Sequence, residues 1–297
     1  MADIFDQVVD RPNEFWLRYR DSDHPHASKI RHLFSECWDA YEQYAEEQFL
    51  VEFQGDGLFQ RWWEMYLFLR LQRAGFDVSQ PGSGMPDICV NWRGHRYLIE
   101  CVAPSAGTGN NTIPDYESGE VHQVPHDDVV LRLTSVIDAK VKQAEDRHAK
   151  GRILDDDRYL IAADDSRLRY SGYDDYFYLQ ALYGVGHLQL VFDKKSGEVI
   201  SESHTSRPQI ANSTGAMVDV DRFANTSDYR WISGIIFCNA NFGNIALYQE
   251  APELVVAHNY RCRMKHTRRF LKHEADRFVF NGVDTVRRFR QAKSPKI

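Results

Sequence analysis

The segment from Pro86 to Val102 constrains the fold of this chain more than any other. Two apolar, β-rich runs, Pro86-Asp87-Ile88-Cys89-Val90 and Tyr97-Leu98-Ile99-Glu100-Cys101-Val102, flank Asn91-Trp92-Arg93-Gly94-His95, whose centre suits a hairpin turn. With Arg93-Gly94 as a two-residue loop, Trp92 pairs with His95, and counting outward sets Asp87 directly opposite Glu100. Opposed residues on an antiparallel pair have Cβ atoms roughly 4.5–5.5 Å apart, and like charges destabilise there. A divalent cation or a shared proton would offset that repulsion. A longer or asymmetric turn would instead slip the register and send the two carboxylates to opposite faces. Both acids terminate apolar strands, where charge is otherwise disfavoured.

Ahead of this hairpin, Gly55-Asp56-Gly57 breaks the chain before a helix expected over Phe59 to Ala74. Phe59, Trp62, Trp63, Tyr66, Leu67, Leu69 and Leu71 make it apolar around most of its circumference. On a helical wheel Glu64 falls between Leu71 and Phe68, away from Arg61 and Gln72, which buries its carboxylate in part. A salt bridge to Arg70 or a cap contact would account for it. A short strand, Phe76 to Gln80, and the turn Pro81-Gly82-Ser83-Gly84 lead into Pro86.

Pro86-Asp87, followed thirteen positions after the aspartate by Glu100-Cys101-Val102 and preceded by a helix carrying Glu64, resembles the PD-(D/E)xK nuclease superfamily, which includes many restriction endonucleases. The resemblance covers about a third of the chain, from near Phe59 to Ala163, and its motif is short and degenerate. It implies an α-β-β-β-α-β core, hydrolysis of a phosphodiester, and Mg²⁺ (or Mn²⁺) held by Asp87 and Glu100. The backbone carbonyl of Cys101 is the expected third ligand, since hard cations take oxygen donors, and Glu64 would hold a second metal or its waters. The chain departs from the pattern at the motif's lysine, where Val102 stands. Either another residue supplies the positive charge, or catalysis is lost.

A second strong helix is expected over Asp127 to Ala149, with Asp127 and Asp128 at its N-terminus. Lys140 lies in the middle of its apolar stripe, within about 20° of Leu133 in projection, whereas Lys142 lies on the far side. A lysine there needs an anionic partner or must snorkel along its stem to water. In the first case Lys140 reaches the Asp87/Glu100 pair and replaces the cation missing at Val102, with Gln143, one turn on, orienting a phosphate or a water. Tyr159 to Ala163 reads as a buried strand joined through this helix as in a βαβ unit.

The expected fold class is α/β, with a mixed central sheet flanked by helices. Residues 1–22 are expected to be an irregular lead-in, and Ala27 to Phe53 a helix with Ile30, Phe34, Trp38 and Tyr41 on one face. Residues 1–55 thus form an N-terminal helical extension and 56–297 a single α/β domain. Tyr170 to Gly184 reads as a helix, His187–Asp193 and Glu198–His204 as a hairpin, and Thr205 to Arg230 as a long polar loop. Trp231–Phe237 and Glu253–Ala257 look like further strands of the same sheet. Asp23-His24-Pro25-His26 reads as a helix start, and His122 and His126, separated by Pro125, do not make a zinc pair.

The formal net charge of −7 does not advertise a nucleic-acid binder, but 259–297 is rich in Arg and Lys, as a segment contacting a phosphate backbone or a solvated face would be. Cys37, Cys89, Cys101, Cys238 and Cys262 lack a C-x-x-C pair, which argues for a reducing compartment and against a disulfide framework or structural zinc. No apolar run approaches the roughly 20 residues of a membrane span, and a cytoplasmic protein is expected. The combined expectation is a divalent-metal-dependent nuclease acting on nucleic acid, DNA favoured. The alternative is a catalytically degenerate nuclease-fold protein that binds nucleic acid or serves as an interaction module. A two-fold dimer would suit double-strand cutting. Restriction, phage defence, mobile-element maintenance and toxin activity all fit.

Overall fold

The computed structural model describes residues 3–108, 112–114, 119, 121, 123–168, 170, 176–225, 227–259, 261–264, 270–271, 275–280 and 286–289, with 176, 224–225, 275–280 and 286–289 given as backbone. Most of the basic segment 259–297, and His122, lie outside the described side chains.

The lead-in is more regular than its composition suggests. Helix α1 (Glu14–Asp21) is opened by Asn13, whose side chain accepts the Phe15 N–H. Helix α2 (Pro25–Tyr41) follows, capped by His24 with Pro25 in its first turn. The single helix expected from Ala27 to Phe53 is broken by a 3-10 turn, Glu42–Tyr44, before α3 (Phe49–Gln54). The break has a tertiary cause. Phe49 stacks on Trp38 at 5.7 Å and meets Tyr41 at 5.0 Å. On an unbroken helix it would stand about 12 Å along the axis from Tyr41. The chain folds back to seal α2 with its own aromatics.

Helix α4 (Leu58–Arg73) precedes the strands β1 (Asp77–Ser79), β2 (Ile88–Trp92) and β3 (His95–Val102), then α5 (His126–Ala149) and β4 (Arg158–Asp164). Next come α6 (Tyr176–Tyr183), β5 (Val185–Phe192) and β6 (Val199–Ser206). The segment expected to be one long loop carries β7 (Gln209–Ala211), β8 (Met217–Asp219), α7 (Arg222–Asn225) and a 3-10 turn at Ser227–Trp231. Its hairpin is closed by Asn212, whose side chain accepts the N–H groups of Thr214 and Ala216, and is pinned to the body by buried Ile210 and Val220. The chain ends with β9 (Ile232–Cys238), α8 (Phe242–Tyr248), β10 (Leu254–His258), β11 (Ala275–Phe280) and β12 (Val286–Phe289).

The architecture is mixed α/β. The central sheet has the strand order β1-β2-β3-β4-β9-β10-β11-β12, while β5-β6 and β7-β8 form separate two-stranded sheets. Within the central sheet β3 runs parallel to β4 and β4 parallel to β9, whereas the β1-β2, β2-β3 and β9-β10 pairs are antiparallel. The period-two alternation of the strands divides the core into two layers. Tyr97, Ile99, Cys101, Leu160 and Ala162 face the layer of α2, α3 and α4. Leu98, Tyr159, Ile161 and Ala163 face that of α5 and α6.

Helix α4 is buried on nearly every side, as its composition requires. Two consecutive indoles hold it: Trp62 Nε1 donates to the Ala240 carbonyl at 2.7 Å and Trp63 Nε1 to that of Ala162 at 2.9 Å. The helices of residues 1–55 join the same apolar layer. Phe34 of α2 lies 5.3 Å from Trp62 and Phe53 of α3 lies 5.3 Å from Phe34. Among the described residues, no helix is long and apolar enough to cross a membrane.

Candidate active site

The turn between β2 and β3 is Arg93-Gly94, with φ of 51° and 76°. Two successive left-handed residues make the primed turn whose twist suits a hairpin. The register runs from Trp92↔His95 to Ile88↔Ile99, so the next step places Asp87 opposite Glu100. Their carboxylates do not meet head on. Asp87 Oδ2 accepts the Cys101 N–H at 2.7 Å, taking the place of a ladder partner at the end of β2.

Glu100, only 3 % exposed, is met by α5. Lys140 Nζ donates to its Oε1 at 2.7 Å. Arg147 Nη1 donates to its Oε2 and also to Tyr159 Oη, at 3.0 Å in the latter case. Tyr159 Oη lies 3.4 Å from the same Oε2. The Lys140 side chain is 19 % exposed, so its ammonium is turned into the fold rather than into bulk water. Val102, where the resemblance leads one to expect a lysine, packs against the α5 layer. Lys140 therefore brings positive charge to the same face of β3 from the neighbouring helix.

Glu64 is 1 % exposed. It pairs with Arg61 at 2.5 Å and accepts from Gln60 Nε2 at 2.9 Å. The expected partner Arg70 instead donates to the Pro252 carbonyl at 2.5 Å. A wheel projection locates Cβ atoms only. The long Arg61 side chain crosses one turn to Glu64, and its other edge is held by Glu52 of α3 at 2.5 Å.

Burial of the carboxyl group is the largest cause pushing the Asp87 pKa well above the usual range, although part of the residue reaches the surface. The charges of Glu64 and Glu100 push in the same direction, against the Cys101 N–H and Lys140. Burial likewise raises the Glu64 pKa, Arg61 and Gln60 oppose that rise, and Glu100 adds to it. The three acids thus share one electrostatic neighbourhood.

Two contributors had no place in the sequence reading. Gln60 binds the Cys101 carbonyl at 3.1 Å through Nε2 and the Ala103 N–H at 2.9 Å through Oε1, tying α4 to the end of β3. Arg147 lies seven positions beyond Lys140, on the same stripe of α5. Both could have been found from helical spacing, Gln60 being four residues before Glu64. Gln143, by contrast, is exposed. Arg132, near Lys140 in projection, donates from Nε to the Ser105 carbonyl at 2.8 Å and pins the segment that leaves β3.

Among the described residues, no group of three or more His, Cys, Asp or Glu side chains is arranged to hold a metal ion. The oxygens of this neighbourhood that could be offered to a hard cation are fewer. They comprise Asp87, with one carboxylate oxygen bonded to Cys101 N–H, the Glu100 carboxylate, and the Cys101 carbonyl, which has a lone pair beyond the one used by Gln60. Comparison with known proteins brings in no relative: no family model, no curated protein and no solved structure matches this chain.

Proposed function

We propose that this chain is a divalent-metal-dependent nuclease that hydrolyses phosphodiester bonds, with DNA as the favoured substrate. The observation that carries the reading is a constellation of acid, acid and amine. Asp87 immediately precedes β2 and Glu100 lies within β3 of the same hairpin, and Lys140 Nζ lies 2.7 Å from Glu100. The order α4-β1-β2-β3-α5-β4 agrees with the α-β-β-β-α-β succession that the PD-(D/E)xK resemblance implies.

Asp87, Glu100 and the Cys101 carbonyl would hold Mg²⁺ or Mn²⁺, and Glu64 would hold a second ion or its waters. The cation, when bound, supplies Lewis-acid charge for in-line hydrolysis. Lys140 places a positive charge beside the phosphoryl oxygens on which negative charge develops, the task of the motif's lysine. Arg147 and Tyr159 keep Glu100 from swinging away, and Gln60 fixes the direction of the Cys101 carbonyl.

A second reading, a degenerate nuclease fold that binds nucleic acid without cutting it, draws on the engagement of both Glu100 oxygens by protein cations. Titration with Mg²⁺ and Mn²⁺ followed by plasmid nicking separates the two. Cleavage abolished by Asp87→Ala and by Glu100→Ala supports the nuclease. Metal-stimulated DNA binding without nicking supports the degenerate reading, and the absence of both nicking and binding rejects both.

A further inference from the structure

β3 and β4 run parallel, with Val102 beside Ala163, so the chain leaves both strands at the same edge of the sheet. The strap that starts at Ala103 and the turn Asp165–Leu168, closed by the Leu168 N–H on the Asp165 carbonyl at 2.7 Å, therefore begin about 4.8 Å apart. Two helices hold the strap from opposite sides of the sheet. From α4, Gln60 Oε1 accepts the Ala103 N–H, and from α5, Arg132 Nε donates to the Ser105 carbonyl at 2.8 Å. Ligands of open α/β sheets bind in the crevice outside the carboxyl ends of such strands.

The other cations around the site are engaged with acids. Lys140 and Arg147 meet Glu100, and Arg61 meets Glu64 and Glu52. Arg132 and Arg167 are held by neutral partners. Arg132 uses Nε alone on a carbonyl, which leaves the N–H groups of its two terminal nitrogens. Arg167, in the turn after β4, lays its guanidinium over the Phe59 ring with Cζ 4.6 Å from the ring centre. That contact uses the face of the group and leaves its N–H edge for another partner. Among the described residues neither arginine forms an ion pair.

Burial lowers the pKa of Arg132. Arg167 is exposed as a residue but dry on its stacked side, and desolvation is again the largest cause of lowering; Asp164 opposes it and the charge of Arg132 adds to it. Asp164 is a weak counterweight, because its oxygens already accept from Ser166 and the Ala240 N–H. Two guanidinium groups that repel one another beside a shared strap are stabilised by an anion between them, and their forked donors match phosphate oxygens.

We propose that Arg132 and Arg167 together grip one backbone phosphate of the nucleic acid, a phosphate other than the one cut. The assignment rests on the nucleic-acid reading of the site. Glu64, Asp87 and Glu100 repel a polyanion, and the cations beside them are occupied, so the arginine pair supplies the attraction that a strand needs. Arg132 is pinned at Ser105 and stands eight residues before Lys140 on α5, about 12 Å along the helix axis. That is several times the roughly 3.4 Å of duplex axis between successive phosphates of a strand.

Anisotropy of a labelled duplex with the full chain, in Ca²⁺ to hold off cutting and at about 50 to 300 mM salt, tests the grip beside plasmid nicking in Mg²⁺. Arg132→Gln/Arg167→Gln should bind about 10- to 100-fold more weakly, as loss of charge-assisted hydrogen bonds implies. Its slope of log K against log salt should be shallower by about one, a single phosphate contact, and KM for plasmid should rise more than kcat falls. Because both groups meet one phosphate, the two single losses should sum to more than the loss in the double variant. Arg167→Gln breaks no hydrogen bond among the described residues, so it should weaken binding at an unchanged melting temperature even where Arg132→Gln loosens the strap. Arg93→Gln, at the exposed hairpin tip beyond the other end of β3, should bind as wild type does.

A double variant with wild-type affinity and salt slope overturns the grip and leaves the nuclease reading in place. An affinity loss with unchanged slope, an equal loss in Arg93→Gln, or strictly additive single losses overturn it as well. A wild type that binds no DNA overturns both readings. Binding without nicking, with the shallower slope in the double variant, supports the grip and removes cleavage.

Discussion

Replacing Lys140 by methionine separates a chemical role for its ammonium from a structural one. Removing one member of a buried ion pair costs about 3–5 kcal/mol when the other charge is left alone. Glu100 is not left alone, because Arg147 remains on Oε2 and Tyr159 Oη lies nearby. The loss reduces to one charge-assisted hydrogen bond, about 1.5–3 kcal/mol. Partial exposure of the lysine argues for the lower end, about 1–2 kcal/mol, and methionine keeps the packing of the stem. At about 2–4 °C per kcal/mol the melting temperature should fall by a few degrees. If Lys140 faces developing charge on a phosphoryl group, the nicking rate should fall about 10²–10³-fold.

Arg147→Met provides the converse. It removes contacts to Glu100, Tyr159 Oη and the Gly84 carbonyl together, so it should cost more stability than Lys140→Met. Initial rates of Mg²⁺- or Mn²⁺-dependent plasmid nicking, read beside thermal melts, give both quantities. A Lys140→Met enzyme cutting within about threefold of wild type, a difference under 1 kcal/mol in barrier, would refute the argument and leave the ammonium as a counterion for Glu100.

Three further outcomes follow from the geometry. Burial pushes the carboxyl group of Asp164 up to about 6, against hydrogen bonds from the Ser166 and Ala240 N–H groups and the Ser166 hydroxyl. A raised carboxyl contributes stability that is complete below its unfolded value near 4 and is lost as pH rises through about 6, some 3 kcal/mol in all. Asp164→Asn should therefore lack this pH dependence, and its unfolding free energy relative to wild type should be higher at pH 8 than at pH 4 in urea melts; equal differences at both pH values contradict the assignment. Gln60→Leu strips partners from Glu64, the Cys101 carbonyl and the Ala103 N–H, and should lower stability by about 1–3 kcal/mol while weakening Mn²⁺ binding in calorimetry. Gly94→Val puts a β-branched residue at φ 76° and should cost at least about 1–2 kcal/mol, detectable as a lowered denaturation midpoint.

The parts of this molecule legible in the sequence are those governed by a short period. A two-residue turn and alternating strands sufficed to set Trp92 against His95, and 3.6-residue periodicity sufficed to turn Lys140 inward. The break after Tyr41 was hidden because it depends on Phe49 returning to Trp38, a contact between residues with no periodic relation. Arg61 crossing to Glu64 was hidden for another reason. Side chains with four rotatable bonds span most of a helical turn, so the direction of Cβ does not fix where their charge ends. The hairpin within 205–230 rests on Asn212 bonding to its own turn, which a polar composition does not distinguish from loop.

The adjacent indoles Trp62 and Trp63 have a mechanical corollary. Their N–H groups leave α4 about 100° apart and are tethered to two separate carbonyls, that of Ala240 beyond β9 and that of Ala162 within β4, so a roll of the helix in either sense stretches one tether. The wall bearing Gln60 and Glu64 is clocked against rotation. Accommodation of a bulky ligand would then fall to the opposite bank, where the glycine-bearing strap leaving β3 is held at Ser105 by the Arg132 side chain.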